Sequence, residues 1–429
     1  MKFAPKPEND FWQFIRLYYN ECRARVPRIE AIAGKWMFRD LAPGMSDFDT
    51  RFIVNDAMTT ADWCAMSDAV GEVHLSLCRK YPSWVRNLEH LPGVNLAWDE
   101  LTGERSYYPE YQQWSFYDTE TPQRLSAALA KLGARPWDVK DEHFHLKKFC
   151  LYYGRYNRTI DNPINMGVHE NKYPMHSRLM HYFAPPVQSA MCVLLKQHLV
   201  GKYEALEIAA RKFPNLACWD AVWEILHANY ETPEWYAEPR LSELEDMLEQ
   251  ALTEMARAIR DVTALVPASA GLAMPQWKAA LAQVPLDPAL VIFDNAKFSR
   301  LMKGRLRFYA RAPAYFDAEF LIRHELRRTG PNFFVVPFQT FWKLRTGQAV
   351  EDPTAILDRL DGLLSAEEID LTRRFRELTR AAPAEGRTRE AALAVADVFD
   401  GFFSALTKIS RAAADLSDGL GSASGRFST

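Results

Sequence analysis

Residues 34–54 read Gly34-Lys35-Trp36-Met37-Phe38-Arg39-Asp40-Leu41-Ala42-Pro43-Gly44-Met45-Ser46-Asp47-Phe48-Asp49-Thr50-Arg51-Phe52-Ile53-Val54. The last eight alternate by side, with Phe48, Thr50, Phe52 and Val54 on one face and Asp47, Asp49, Arg51 and Ile53 on the other. That period of two is the mark of a strand. An apolar run, Ile29–Ala33, reads as a second strand that ends at Gly34. Carboxylates at i and i+2 on a strand point the same way, with Cβ atoms roughly 6–7 Å apart. Such a pair suits joint ligation of Mg²⁺, a hard ion that takes oxygen ligands. A glycine turn that leaves a strand for a helix exposes backbone N–H groups to phosphate.

To either side of this stretch the pattern is helical. Residues 8–25 carry Phe11, Phe14, Ile15 and Tyr18 as one stripe, closed by Pro27. A helix from Thr60 to Arg79 takes Thr59 or Thr60 as its cap. Strands are expected at Val94–Trp98, after the Pro92-Gly93 turn signal, and at Tyr111–Tyr117. Beyond residue 122, helices are expected at 122–132, 141–153, 186–200, 203–212, 217–229 and 241–265. Past a linker at 266–275, further helices are expected near 317–328, 353–364, 366–381 and 388–409. The stripe Leu241, Leu244, Leu248, Leu252, Met255, Ile259 and Val262 is that of a packed bundle helix more than of a coiled coil. The fold class is α+β: a small mixed-sheet head at 1–121, a helical domain at 122–266, a second at 276–410 and a flexible tail at 411–429. With so few strands the chain is neither a Rossmann sheet nor a TIM barrel.

A length of 429 residues sets a prior of two or three domains at roughly 150 residues each. The composition, 48% hydrophobic and 25% charged, excludes disorder over most of the chain. The net charge, 52 basic against 55 acidic residues, is −3 and argues against a dedicated nucleic-acid coat. Nothing resembles a signal peptide, and no apolar run reaches the ~20 residues of a membrane span. Six scattered cysteines without a CxxC spacing indicate reduced thiols. These features lead us to expect a cytoplasmic protein.

The strand, Gly34, and Ser46-Asp47-Phe48-Asp49 on the next strand, with Asp47 thirteen residues after Gly34, together resemble the nucleotidyltransferase superfamily of the DNA polymerase beta fold, which includes the aminoglycoside nucleotidyltransferases. That resemblance covers residues 29–55, and the helical region is similar in kind. It implies that Asp47 and Asp49 hold Mg²⁺ and that Gly34, Lys35 and Ser46 position the triphosphate of a nucleoside triphosphate such as ATP. It further implies that a hydroxyl of a small-molecule acceptor takes the nucleoside monophosphate and that pyrophosphate leaves. Nucleic acid and membrane are not expected as partners.

The chain departs from the family pattern in three places. Lys35 stands where the family has serine, either meeting phosphate as a point charge or lying exposed at a helix start. Arg51 shares the carboxylate face, either bridging Asp49 or binding phosphate. Asn95 occupies the place of a third acid; Asp99 or Asp118 would supply it as catalytic group, or no third acid exists. Lys35 and Asn95 motivate a second reading, a degenerate head used for nucleotide binding or protein interaction. A third is a toxin-like nucleotidyltransferase acting on RNA or protein.

Other groups read as structural. No HExxH and no Cys/His cluster accompanies the ten histidines, so a zinc site is not expected. Lys147, Lys148 and the segment from Tyr152 to Arg158 mix base with aromatic and are either snorkelling side chains or a nucleotide contact. Lys196 is either at the rim of its helix or in the cleft. Nine basic residues between Lys297 and Arg328 form a solvated or ion-paired face rather than an RNA surface. Phe333–Phe338 is core. Of the rings near the motif, Trp36, Phe38, Phe48, Trp98, Trp114, Tyr117, Tyr152, Tyr153 and Tyr156, a substantial minority are expected to line a cleft.

Overall fold

The structure, a computed structural model, describes residues 8–35, 40, 48–84, 87–153, 179–231, 240–312, 318–384 and 386–424. Ser46 and Asp47 of the motif, Trp36, Phe38, and residues 154–178 with Tyr156, His169 and His176 lie outside them.

Helix α1 (Glu8–Arg25) buries the expected stripe of Phe11, Phe14, Ile15 and Tyr18 and delivers the chain to β1 (Ile29–Gly34). Strand β2 is Thr50–Val54, shorter than the alternation that announces it, because Phe48 and Asp49 leave the ladder. Helix α2 (Thr60–Lys80) starts at a capping box: the Asp62 N–H donates to Thr59 Oγ1 at 3.1 Å and the Thr59 N–H to Asp62 Oδ2 at 2.8 Å. Strand β3 is Val94–Ala97, and Trp98 opens α3 (Trp98–Thr102) rather than extending the strand. The strand expected at Tyr111–Tyr117 divides into a 3₁₀ turn, Pro109–Gln113, and β4 (Ser115–Thr119). Pro109 fixes φ and opens that turn.

The four strands form one mixed sheet in the order β3-β2-β1-β4. β1 is antiparallel to both β2 and β4, and β2 is parallel to β3 through the α2 crossover. Period-two alternation separates the faces. Ile32, Phe52 and Val54 join α1 and α2 in one apolar core. Ala31, Ala33, Ile53, Val94 and Leu96 pack on the other face with Trp98, Tyr107, Tyr111 and Trp114.

The remainder is helical. Helices α4 (Pro122–Gly133), α5 (Val139–Tyr153), α6 (Ala184–Leu195), α7 (Lys202–Lys212), α8 (Trp219–Glu231), α9 (Arg240–Arg260) and α10 (Met274–Leu281) follow the head. Leu244, Leu248, Leu252, Met255 and Ile259 of α9 sit in the core of this block, as a bundle helix requires. The stretch 266–275 is no open linker: Val266, Ala270 and Met274 are buried in the same core, and Trp277 Nε1 donates to the Gly271 carbonyl at 3.0 Å.

Then come α11 (Pro288–Ser299), α12 (Met302–Arg311), α13 (Ala318–Thr329), α14 (Val336–Thr346), α15 (Ala366–Arg380) and α16 (Thr388–Ser424). Residues Pro353–Leu360, expected as α-helix, form a 3₁₀ segment. Residues 411–424, expected as flexible tail, continue α16. Phe333, Phe334 and Phe338 are core, as read. Helix α16 packs along α11 to α15 and touches α2. Residues of the head and of 289–413 share one core cluster. The six cysteines are free thiols, five of them buried. Among the described residues, no helix is long and apolar enough to cross a membrane.

The seam between α2 and α12 depends on Gly304. A Cβ there would stand 1.9 Å from the Ser67 carbonyl oxygen, while the Gly304 N–H donates to Ser67 Oγ at 2.8 Å. Backbone cannot yield as a flexible side chain can, so Gly304→Ala is expected to cost about 3 kcal/mol, the upper part of the overpacking range. Urea unfolding measures it. Gly133→Ala, at the end of α4 with nothing within 4 Å of the added carbon, is the control. Equal midpoints for the two variants would contradict the close approach.

Candidate functional site

The sheet register assembles the site. Gly34, the last residue of β1, lies opposite Thr50 of β2 and Ser115 of β4. One step on, the Lys35 N–H donates to the Asp49 carbonyl at 3.4 Å. Gly34, Lys35 and Asp49 therefore meet at one end of the sheet, and the Asp49 side chain is 49% exposed there.

Behind Asp49 stands Arg51, whose side chain is only 6% exposed. Its Nη1 donates to Asp49 Oδ1 at 2.7 Å, to the Asp49 carbonyl at 3.0 Å and to the Thr50 carbonyl at 2.8 Å. Its Nη2 donates to Glu110 Oε1 at 3.1 Å. Of the two roles open to Arg51 in the sequence, the ion pair with Asp49 is the one formed. Glu110 Oε2 accepts from Lys35 Nζ at 2.9 Å, so one carboxylate, 10% exposed, holds two cations. Burial works against the Glu110 carboxylate, but the charges of Lys35 and Arg51 outweigh it and hold its pKa far below the usual range. Burial likewise opposes the charged Arg51, and Asp49 and Glu110 more than restore it.

Glu110 was not among the acids that the sequence singled out. One signal for it was local: an acid set among Tyr107, Tyr108, Tyr111 and Trp114 is buried and must be paired.

Neither acid nominated as a third carboxylate reaches this end. Asp99 lies in the first turn of α3, past the far end of β3, with its N–H on Asp56 Oδ1 at 3.0 Å. The parallel register runs from Arg51↔Val94 to Val54↔Ala97, so a strand pair of four residues, roughly 10 Å of backbone, separates Asp99 from Asp49. Asp118 lies opposite Ile32, deeper in the sheet than Ser115, and pairs with Arg16 of α1 at 3.4 Å. Asn95 is a strut. Its Oδ1 accepts from the Phe52 N–H and its Nδ2 donates to the Pro92 carbonyl, both at 3.1 Å, which joins β2 to the start of β3.

The helical block closes on the same end. Asp40, in the segment between β1 and β2, accepts from the Lys202 and Tyr203 N–H groups at 2.9 Å each and so caps α7 from outside. Lys148 of α5 donates to Gln188 Oε1 at 3.3 Å. Gln188 Nε2 donates to the Leu199 carbonyl at 2.9 Å, as does Gln113 Nε2 of the head at 3.1 Å. Nearby, Tyr107 Oη donates to Asp141 Oδ1 at 2.7 Å. His198 Nε2 meets the same oxygen at 3.1 Å, and His145 Nε2 meets His198 Nδ1 at 3.2 Å.

Lys196 pairs with Glu142 at 2.5 Å, which puts it at the helix rim rather than in the cleft. In the basic stretch, Lys297 pairs with Asp294, Arg300 with Glu100, Lys303 with Asp68 and Asp400, Arg305 with Glu325, Arg307 with Asp68, Arg311 with Glu72 and Arg323 with Glu319. Phe48, Trp98 and Trp114, rings expected to include cleft-lining ones, are buried in core.

A magnesium ion asks for hard, partly exposed oxygen donors. Asp49 is such a donor beside the Arg51 bond, whereas Glu110 is spent on two cations. Among the described residues, no group of three or more His, Cys, Asp or Glu side chains is arranged to hold a metal. No family model, curated protein or solved structure gives a match to this chain.

Proposed function

We propose that the chain is a magnesium-dependent nucleotidyltransferase that moves a nucleoside monophosphate, ATP being the expected donor, to a hydroxyl of a small molecule with release of pyrophosphate. The observation that carries this reading is the sheet register, which sets the Gly34-Lys35 turn beside Asp49, where the sequence motif needs them. Asp47 and Asp49 are the proposed holders of Mg²⁺, which when bound neutralises charge on phosphate oxygens. The remaining work falls to the chain's own groups. Arg51, fixed by Glu110, locks the Asp49 carboxylate in one orientation. Lys35, tethered to Glu110, offers its ammonium to the β- and γ-phosphates. Four-stranded mixed sheet plus helical block is the proposed nucleotidyltransferase-like arrangement.

A second reading, nucleotide binding without transfer, is favoured by Asn95, whose amide is spent as a strut where a third acid would act. One experiment separates them. The full chain is incubated with Mg²⁺, ATP and a panel of small-molecule acceptors, with tRNA and lysate protein as further arms, and pyrophosphate is measured. The first reading expects release with a small-molecule acceptor and its fall to background in Asp47→Asn and Asp49→Asn. Tight ATP binding with no release in any arm supports the second. Neither binding nor release overturns both.

A further inference from the structure

The side chain of Lys297, on α11, is wholly buried. Enclosing an ammonium is costly unless it is paired and hydrogen-bonded, and here it is both. Its Nζ donates to Asp294 Oδ1 at 2.5 Å and to Tyr111 Oη at 3.0 Å. It also lies over the rings of Tyr108, at 4.1 Å from the centroid, and of Tyr111, at 4.9 Å, whose faces attract a cation. Asp294 is three residues back on the same helix and would accompany the lysine wherever α11 went. The contacts with Tyr108 and Tyr111 are different in kind, because they join α11 to the head.

Those two tyrosines flank Glu110. The short turn that carries them closes on itself with the Tyr111 N–H on the Tyr108 carbonyl at 2.9 Å. Its later residues are anchored elsewhere: Gln112 Nε2 donates to the Leu132 carbonyl at 2.6 Å and Gln113 Nε2 to the Leu199 carbonyl at 3.1 Å. Lys297 grips the part of the turn on either side of Glu110. Arg300, one turn further along α11, reaches β3 instead and donates to the Asn95 carbonyl at 2.7 Å. Helix α11 thus meets the head at two points, the strand and the turn.

We propose that Lys297 is a positioning residue for the Asp49 end of the sheet: its grip on Tyr108 and Tyr111 sets Glu110 where it meets both Lys35 and Arg51. An apolar side chain would fill the same space without a desolvated charge, so what the ammonium adds is direction, through one hydrogen bond and two ring faces. The role of Lys35 and Asp49 toward a nucleotide rests on the nucleotidyltransferase reading; the grip itself does not.

Lys35 reports on the cluster without turnover, since its ammonium is held on Glu110 at 2.9 Å and reacts faster once released to solvent. The full chain is treated briefly with an acetylating succinimidyl ester, and the rate at Lys35 is read by peptide mass spectrometry. Lys297→Met keeps the length and removes the charge, and is expected to raise that rate about fivefold, the scale of a lost hydrogen bond from a charged group. Tyr111→Phe removes only the hydroxyl and is expected to raise it about twofold. Gly304→Ala, a destabilising change at the α2–α12 seam, should leave it unaltered, which separates positioning from general loosening. An unchanged rate in Lys297→Met overturns the proposal, as does an unchanged rate in Tyr111→Phe if Lys297→Met does not fold. An equal rise in Gly304→Ala overturns it too, and so does a wild-type Lys35 that reacts as fast as the exposed Lys343. Titration with ATP and Mg²⁺ reads the consequence: affinity should fall in the variants that release Lys35, and unchanged affinity there would refute the positioning role. A wild type that binds no ATP ends the nucleotidyltransferase reading and leaves the answer of the labelling intact.

Discussion

Replacing Glu110 with glutamine is expected to cost about 3–5 kcal/mol of unfolding free energy, the range for removing one partner of a buried ion pair. The reason is the asymmetry of the cluster. Glu110 is one acid serving two cations, and both of its oxygens are in use. Arg51 would keep Asp49 and two backbone carbonyls, but Lys35 would lose its ion-pair partner. The sum of charge at this end of the sheet would rise by one, with no solvent around Arg51 to screen it. Urea unfolding reads the loss as a lower midpoint at unchanged slope. Glu104→Gln, which removes the exposed partner of Arg135, should leave the midpoint where it was. Adding Lys35→Met to Glu110→Gln should return part of the loss, because the two side chains act as a unit. Equal midpoints for Glu110→Gln and the wild type would mean that the carboxylate is not the keystone its geometry indicates.

Mild acid is expected to unfold the protein through its buried histidines. His74 Nε2 donates to the Leu88 carbonyl at 2.5 Å and Nδ1 meets the Tyr18 hydroxyl at 3.2 Å, so the neutral ring is fully hydrogen-bonded in a site closed to water. Burial pushes its pKa down to about 3. His145, stacked on Trp137, is pushed well below the usual range by burial and then by His198. The unfolded chain protonates these groups near ~6.5 and the folded chain does not, so stability is whole above that pH and falls below it. Each contributes a slope of about 1.4 kcal/mol per pH unit, or about 4 kcal/mol for the pair by pH 5. The carboxylates held low by ion pairs, Glu110 among them, begin to lose their contribution only at more acid values, where unfolded acids protonate. Urea midpoints at pH 7 and pH 5 measure the fall, and His74→Gln should flatten it. A midpoint independent of pH over that window would refute the neutral-histidine account.

What the sequence disclosed follows from the range of the forces involved. Stripes such as Phe11-Phe14-Ile15-Tyr18 and the α9 leucines are local signals, and α1 and α9 lie where the 3.6 period puts them, though α9 stops short at Arg260. The Asp49–Arg51 pair was legible as one of two options, since both residues share a strand face. The exclusion of Asp99 was not legible, because it depends on β3 running parallel to β2, which no residue of β3 declares. Glu110 was hidden for a related reason: its partners are 75 and 59 residues away in sequence. The stretch 266–275 carried loop composition, yet its scattered apolar residues found a tertiary surface to bury.

Helix α16 has a consequence in the order of synthesis. It is 37 residues, about 55 Å at 1.5 Å per residue, and it completes the core that α1, α2 and β2 begin. At ~5–20 residues per second, a ribosome finishes β3 roughly 15–60 s before Thr388 is made. Throughout that interval α11 to α15 lack the helix along which they pack, while α12 can already seat on α2. A message cut before Thr388 would leave α11 to α15 without the one helix that packs along all five of them.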